Sequence, residues 1–186
     1  MEYEEEDLEV EDIFDKKIKK IKSGKKGKRV ELELVKDLNN RFSKLLASNP
    51  SWGKFSRTVG SGNRWGQNVQ LSKKATDTYT GDIVCPDNFK FVLESKGGYN
   101  NIDLCSAFSK GCSELDNFLK QVTDDSKRCG RKPMLFWKKD RKPRLAFIRS
   151  KDIDKTFEYS MKYRNWTVVN FEDIIKMNDE FFFEVK

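Results

Sequence analysis

The sequence contains no histidine, and its four cysteines include no Cys-x-x-Cys pair. The usual zinc sites of mixed cysteine and histidine ligands therefore cannot form, and reduced structural thiols are expected. Without histidine, the chain cannot carry out Ser-His-Asp hydrolysis, Cys-His proteolysis or nuclease chemistry in which histidine is the general base. If the chain is an enzyme, another group must activate its nucleophile.

Long hydrophobic runs are also missing, because no stretch of about 18 consecutive apolar residues occurs. The N-terminus is acidic, whereas a secretory signal carries positive charge ahead of an apolar segment. We therefore expect a protein that is not secreted, has no membrane partner and stays inside the cell that makes it.

The 186 residues suit one domain, and 37% hydrophobic residues with 14 phenylalanines are typical of a soluble globular protein. Charge is unevenly distributed, since residues 1–15 hold nine acidic residues and no basic one. The remainder has 21 acidic against 37 basic residues, a net charge of +16. Such an excess is expected of a protein that binds a polyphosphate, but it is equally typical of a solvated lysine-rich surface.

Apolar periodicity predicts helices alternating with strands, which favours an α/β sheet. Helices are predicted from about Lys28 to Leu46 and from about Leu104 to Val122. The predicted strands are 54–59, 82–85, 89–96, 133–137, 145–148 and 166–171, of which 82–85 and 89–96 form a hairpin. Residues 152–161 and 172–177 are predicted to be helical, 181–185 are ambiguous, and the lysine-rich 16–28 indicate a flexible linker.

Asp82 begins the first strand of that hairpin, and Glu94 and Lys96 end the second, so the three residues are expected to meet. Strand alternation places Glu94 and Lys96 on one face with Val92, and Leu93 on the other. Two carboxylates at such a corner can hold Mg²⁺, which activates water, while an ammonium neutralises charge on a phosphate. The alternative is an exposed cross-strand charge cluster without chemistry.

Four segments, taken in order, share the pattern of a known family. The first is Gly27–Leu34, in which Glu31 follows a glycine by four residues, and the second is Ser56–Gly62, in which a strand with an arginine leads into a small Ser/Gly loop. The third is Thr80–Val84, which contains Asp82, and the fourth is Val92–Lys96, which ends in a Glu-x-Lys sequence. From about Gly27 to Ile148 the chain resembles the PD-(D/E)xK nucleases and, more closely, the archaeal-type Holliday junction resolvases. Three departures stand out: Gly81 replaces the usual proline, Ser95 replaces a common apolar residue, and the Asn63–Thr80 insertion is long.

The resemblance implies an α/β fold with a restriction-endonuclease-like core, a mixed central sheet of about five strands flanked by helices. Residues 27–149 would form the nuclease core, after an acidic head and basic linker at 1–26. Residues 150–186 would form an extension packed on the core. The implied protein is a homodimer, because symmetrical cutting of a four-way junction needs two active sites related by a two-fold axis. It would serve DNA recombination and repair, in the cytoplasm or wherever the DNA lies.

The resemblance also implies a set of site residues. Asp82, Glu94 and Glu31 would bind Mg²⁺, for which Mn²⁺ would substitute, and Lys96 would position the nucleophile or stabilise charge. Ser61 would complete the catalytic set by contacting the phosphate together with Arg57. The expected DNA-binding residues are Arg57, Arg64, Lys73, Lys74 and Lys110, with solubility as the alternative role for each.

Two questions stay open at this point. Glu33 competes with Glu31, because both lie on the same helix about 200 degrees apart and the apolar face excludes neither. The substrate is also open: branched DNA, above all four-way junctions, is favoured. A nuclease for flaps, mismatches or specific duplex sites is the alternative, as is a basic DNA-binding accessory protein that does not cut.

Overall fold

The computed structural model describes residues 23–58 and 78–184, with side chains from residue 26 onwards. In these ranges seven strands form one sheet. The strands are β1 (Ser56–Arg57), β2 (Ile83–Val84), β3 (Phe91–Gly97), β4 (Lys132–Lys138), β5 (Arg144–Arg149), β6 (Ser160–Tyr163) and β7 (Trp166–Asn170). Their order across the sheet is β1-β2-β3-β4-β5-β7-β6. β3 and β4 are parallel and the other neighbours are antiparallel, so the predicted mixed sheet is confirmed.

Helices cover both faces of this sheet. They are α1 (Ser23–Arg41), α2 (Ser43–Ser48), α3 (Leu104–Lys110), α4 (Ser113–Cys129), α5 (Phe171–Ile174) and α6 (Asp179–Phe182). Short 3-10 turns occupy Pro50–Trp52 and Ser150–Asp152. α3 and α4 provide the crossover that a parallel pair such as β3 and β4 requires. The sheet is larger than the expected five or so strands.

The first predicted helix is confirmed in its apolar face, since Val30, Leu34, Leu38 and Phe42 are all buried. The structure differs at both ends. α1 begins at Ser23, inside the segment predicted to be a flexible linker, and the helix is interrupted at Phe42 before α2 begins. Lys26 forms an ion pair with Asp140 of the β4–β5 turn, and this tertiary contact helps to hold the first turns of α1 despite their glycines.

The second predicted helix is two helices, separated at Gly111. Gly111 has φ +81°, a left-handed conformation that ends α3 and that favours glycine. The break turns Phe108 away from the core, and its side chain is 63% exposed. Asp103 caps α3, because its carboxylate accepts hydrogen bonds from the backbone N–H groups of Cys105 and Ser106.

The core has two layers, one on each face of the sheet. α1 and the C-terminal phenylalanines pack on one face, together with Phe91 and Leu93 of β3. α4 packs on the other face, with Val92 of β3 and Leu135 of β4. The predicted alternation of β3 is therefore confirmed, and Glu94 and Lys96 belong by their register to the α4 face.

The chain after residue 149 continues the same sheet. β7 pairs with β5 through five residue pairs, and β6 pairs with β7 at the edge. The predicted helix at 152–161 is wrong, because this segment ends in β6, whose pairing with β7 outweighs local helix preference. In the ambiguous 181–185, α6 ends at Phe182 and Phe183 forms a bridge with Phe89, while residue 185 lies outside the described residues. The division into segments at residue 149 stays a prediction.

The four cysteines all lie within the described residues, and none of them forms a disulfide there. Burial raises the pKa of the Cys85 thiol to about 12. Among the helices described, none is long and apolar enough to cross a membrane.

Candidate active site

Asp82 is held by the two strands on either side of it. Its backbone N–H donates to the carbonyl of Leu93 at 2.9 Å, and its own carbonyl accepts from the N–H of Thr58 at 2.9 Å. The carboxylate Oδ2 also accepts from the backbone N–H of Ser95, again at 2.9 Å. Ile83 pairs with Leu93, which confirms the predicted hairpin. These bonds fix the Asp82 carboxylate beside Ser95, the residue that separates Glu94 from Lys96.

Glu94 and Lys96 form a part-buried ion pair on the α4 face of β3. Lys96 Nζ lies 2.5 Å from Glu94 Oε1 and 3.0 Å from Gln121 Oε1 of α4, and 5.5 Å from the centre of the Phe118 ring. The Glu94 side chain is only 1% exposed. Its second oxygen, Oε2, is buried and has no hydrogen-bond partner within the part of the chain that the structure describes.

Burial and the neighbouring Asp82 carboxylate hold the pKa of Glu94 well above its ordinary value, against the attraction of Lys96. A buried carboxylate with an unpartnered oxygen is costly, and a second carboxylate nearby adds repulsion. A cation placed between the two carboxylates would relieve both effects. The arrangement of Asp82 and Glu94 therefore has the electrostatics of a cation site rather than those of an exposed charge cluster.

Glu31 approaches this pair from α1. Its side chain is 11% exposed, and Oε2 accepts a hydrogen bond from Arg57 Nε of β1. Burial, followed by the Asp82 carboxylate, raises the pKa of Glu31, while Arg57 opposes the shift. Glu33, the competitor, instead lies 2.6 Å from Lys138 Nζ, and this bond lowers its pKa. The geometry thus brings Glu31, and not Glu33, to Asp82; its catalytic role stays a prediction.

A model of the family described as "Phage putative PDDEXK endonuclease" matches residues 22–185, which is most of the chain. The chain belongs to this family. No curated protein and no solved structure matches it. Membership in the PDDEXK endonucleases makes the protein a nuclease with a restriction-endonuclease-like fold and implies DNA as its substrate. PDDEXK nucleases typically use a divalent metal ion.

Gly81 takes the position at which the PDDEXK motif usually has proline, and the structure explains this departure. Gly81 has φ +84°, whereas proline is restricted to about −65°. A Cβ atom at this position would also lie 2.7 Å from the carbonyl oxygen of Leu93 and 2.9 Å from a methyl group of Val92. The close approach of the chain to β3 before Asp82 thus requires glycine.

The residues described contain no group of three or more His, Cys, Asp or Glu side chains arranged to hold a metal ion. Glu31 is bonded to Arg57, and one oxygen of Glu94 to Lys96, which leaves Asp82 and the free Glu94 oxygen as the nearest pair of donors. Two carboxylates fit Mg²⁺, which is often bound by one or two carboxylates plus water. The residues present at the candidate active site therefore fit a divalent cation.

The structure describes two of the six remaining predicted residues. Arg57 lies at the site, bonded to Glu31, and Lys110 is exposed at the last residue of α3. The other four fall outside the described residues: Ser61, Arg64, Lys73 and Lys74.

Two residues of α4 at the PDDEXK site were not predicted. Gln121 accepts a hydrogen bond from Lys96, and Asp125 is buried with its carboxylate 2.6 Å from Arg128 Nη1. Burial raises the pKa of Asp125, Arg128 opposes this, and Asp82 adds to it. The sequence carried a signal, because Asp125 continues the helical spacing of the buried Phe118 and Val122. A carboxylate on the apolar face of a helix indicates that a charged group has a role in the protein interior.

Proposed function

We propose that this PDDEXK endonuclease is a Mg²⁺-dependent enzyme that cleaves four-way DNA junctions. The observation that carries the proposal is the pair of buried carboxylates, Asp82 and Glu94, beside Lys96, in which one Glu94 oxygen has no partner in the described structure. Acidic groups next to a lysine suit phosphodiester hydrolysis by a chain that contains no histidine.

Asp82 and Glu94 would hold the metal ion, and Glu31 would complete its ligands if Arg57 released it. When bound, Mg²⁺ supplies acidification of a water molecule and neutralisation of phosphate charge, and Mn²⁺ would substitute for it. Lys96 provides a positive charge 2.5 Å from Glu94, where it can stabilise charge that develops on the phosphate or orient the nucleophile. Gln121 and the Phe118 ring restrict the position of its ammonium group.

Arg57 supplies a second cation beside the carboxylates. In the described structure its guanidinium is bonded to Glu31, and a nearby backbone phosphate could compete for it through charge-assisted hydrogen bonds. Ser61 would contact the same phosphate, and Arg64, Lys73, Lys74 and Lys110 would bind the flanking DNA. The net charge of +16 outside residues 1–15 supports binding to a polyphosphate of this kind.

Branched DNA as the substrate and a homodimer as the active form rest on the resemblance to resolvases from Gly27 to Ile148. Symmetrical cutting of a junction needs two active sites related by a two-fold axis. A labelled four-way junction and a linear duplex of the same sequence, each incubated with Mg²⁺ or Mn²⁺, test the proposal. Cleavage of the junction alone is expected. Preferential cutting of flaps, mismatches or duplex would assign another substrate, and binding without cutting would leave a DNA-binding accessory protein.

The substitution Asp82→Asn tests the site itself. It should abolish cleavage and keep junction binding, because it removes the fixed carboxylate and retains the shape of the side chain. Asp87→Asn is the matched control, since Asp87 is exposed in the turn of the same hairpin and undergoes the same change of charge. Undiminished cutting by Asp82→Asn would refute the proposed site.

A further inference from the structure

An open cavity of about 770 Å³ lies between the C-terminal half of α4 and the ends of β4 and β5. Its size falls in the range of ligand-binding pockets. The cavity is separate from the candidate active site, because none of Asp82, Glu94 and Lys96 lines it.

Positive charge dominates the lining of this cavity. Five of the lining residues are basic and one, Asp152, is acidic. The basic residues are Lys127, Arg131, Lys132, Arg149 and Lys151. Asp152 lies 3.5 Å from Lys132, and Lys127 forms an exposed contact of 3.4 Å with Asp124. The nearby charges therefore neutralise only part of this surface.

Arg149 is the cation that the fold fixes most firmly here. Its Nη2 donates to the hydroxyl of Thr123 at 2.7 Å, and its guanidinium lies 4.1 Å from the centre of the Trp166 ring. Both contacts are to neutral groups, and burial lowers the pKa of Arg149 while Asp152 opposes the shift. A half-buried guanidinium held by neutral partners gains from an anion, because bonds to phosphate offset the loss of water.

The sheet register places the cavity close to the active site. Glu94, Leu135 and Phe147 lie in one row across β3, β4 and β5. Arg149 follows Phe147 by two residues on the same face. Two strand spacings separate β3 from β5, roughly 10 Å across the sheet. Gln121 and Asp125 lie on the side of α4 that faces β3, where Gln121 accepts a hydrogen bond from Lys96. Thr123 lies on the side that faces β5, where it accepts a hydrogen bond from Arg149.

We propose that this cavity binds a backbone phosphate of the DNA, away from the phosphate that is cut. The inference rests on the proposed function, and it deepens that function by giving DNA a second point of attachment on the α4 face. A nucleic acid that crosses α4 would reach both places, since an α-helix with side chains is about 10–12 Å wide. The opposing explanation is that Lys127 only offsets the dipole at the C-terminus of α4.

The test uses the full chain with Asp82→Asn, which should bind but not cut, and adds Lys127→Gln with Lys151→Gln. Anisotropy of a labelled four-way junction gives the dissociation constant at several salt concentrations. The control adds Lys176→Gln with Lys44→Gln instead. Lys176 has the same kind of exposed contact, 3.9 Å to Asp173. Lys44 lies on α2 and Lys176 in the turn after α5, and both segments pack on the other face of the sheet.

The cavity variant should bind the junction about eightfold more weakly than the control at 0.1 M salt, with a salt slope smaller by about one. Both the weaker binding and the smaller salt slope correspond to the loss of one phosphate contact. With Asp82 intact, the Lys127→Gln and Lys151→Gln protein should reach its maximal rate of cutting at a higher junction concentration than the parent does.

If the cavity variant and the control bound the junction equally, the inference about the cavity would be overturned. The proposed function would still stand as long as the parent cleaved the junction. A parent that neither binds nor cuts DNA would refute both. Inorganic phosphate provides a further arm, read as the thermal midpoint of unfolding. If phosphate stabilised the parent and not the cavity variant, while junction binding stayed equal, the cavity would serve a free phosphate ligand and the DNA assignment would be wrong.

Discussion

The position of Asp82 depends on the glycine that precedes it. Gly81 places the chain against β3 so closely that Asp82 can bond Leu93 through its N–H and Ser95 through its carboxylate. The functional carboxylate is therefore set by backbone atoms, which tolerate little displacement. Single-atom changes at Gly81 are expected to have large effects.

We predict that Gly81→Ala lowers the free energy of unfolding and reduces cleavage. The added Cβ would lie 2.7 Å from the Leu93 carbonyl oxygen, at a φ of +84° that alanine disfavours. The left-handed conformation alone costs about 1–2 kcal/mol, and the clash adds to it. Gly53→Ala is the control, because Gly53 has φ +80° and no atom within 4 Å of the added Cβ. Equal losses in urea denaturation would show that the contact with β3 does not matter.

At the scale of elements, α1 approaches β3 closely at Gly97. A Cβ on Gly97 would lie 2.7 Å from a methyl group of Val30, which directly precedes Glu31. Glycine therefore lets the helix approach the end of β3 closely enough for Glu31 to interact with Asp82. The packing of α1 against β3 therefore contributes to the position of Glu31.

We predict that Gly97→Ala destabilises the protein by about 1–3 kcal/mol through overpacking and slows cleavage by displacing Glu31. Val30→Ala in the same chain should recover part of both losses, because it removes the opposing methyl groups. Urea denaturation of the two single variants and the double variant gives the coupling free energy, expected at about 0.5–3 kcal/mol. Additive effects would mean that the two residues do not press on each other.

A second link between elements joins α4 to the β6–β7 turn. Both oxygens of Asp116 accept from Arg164, each at 2.7 Å, and Tyr163 donates to Oδ1 at 3.0 Å. The Arg164 hydrogen bond is the largest cause that holds the pKa of Asp116 below its ordinary value. The pair therefore stabilises the fold fully above the unfolded pKa of about 3.9 and loses this contribution as pH falls through the lower folded value.

We predict that Asp116→Asn lowers the free energy of unfolding at pH 7 by about 0.5–1 kcal/mol, since the pair is partly exposed. The difference from the parent should shrink as the pH is lowered below about 3.9. Urea denaturation at several pH values measures it. Asp124→Asn, with one exposed contact of 3.4 Å to Lys127, should show a smaller difference at neutral pH. A loss that did not change with pH would contradict the charge-based explanation.

For the whole molecule, the dominant feature is the separation of charge between residues 1–15 and the rest of the chain. Nine acidic residues precede a remainder of net charge +16. Opposite charges in one chain attract each other over a distance set by salt. We therefore expect the acidic segment to compete with DNA for the same basic surface.

We predict that a protein lacking residues 1–15 binds a junction more tightly than the full chain at low salt. The advantage should fade as the salt rises from about 0.01 to 0.3 M, because screening shortens the range of the attraction. Anisotropy titrations measure it. A full-length chain with the nine acidic residues changed to Asn or Gln separates charge from bulk. Unchanged affinity in both proteins would dismiss this competition.

Some features of this protein follow from the sequence alone because they depend on local geometry. The alternation of β3 separates Val92 from Leu93 in any strand, and the apolar stripe of α1 follows from helical period. The antiparallel pairing of β2 with β3 follows from a short connection between two strands. The absence of histidine excludes whole classes of hydrolysis, because no arrangement of the chain can supply a side chain that it does not contain.

Other features were decided only by tertiary structure, since they depend on which distant segments meet. Glu31 and Glu33 are equivalent in the helical pattern, and the packing of α1 on β3 turned one towards Asp82 and the other towards Lys138. Gln121 reached Lys96 through the crossover between β3 and β4, and β6 formed where local preference favoured a helix. Local periodicity specifies the face of an element, but the partner of that face is set by long-range pairing and by burial.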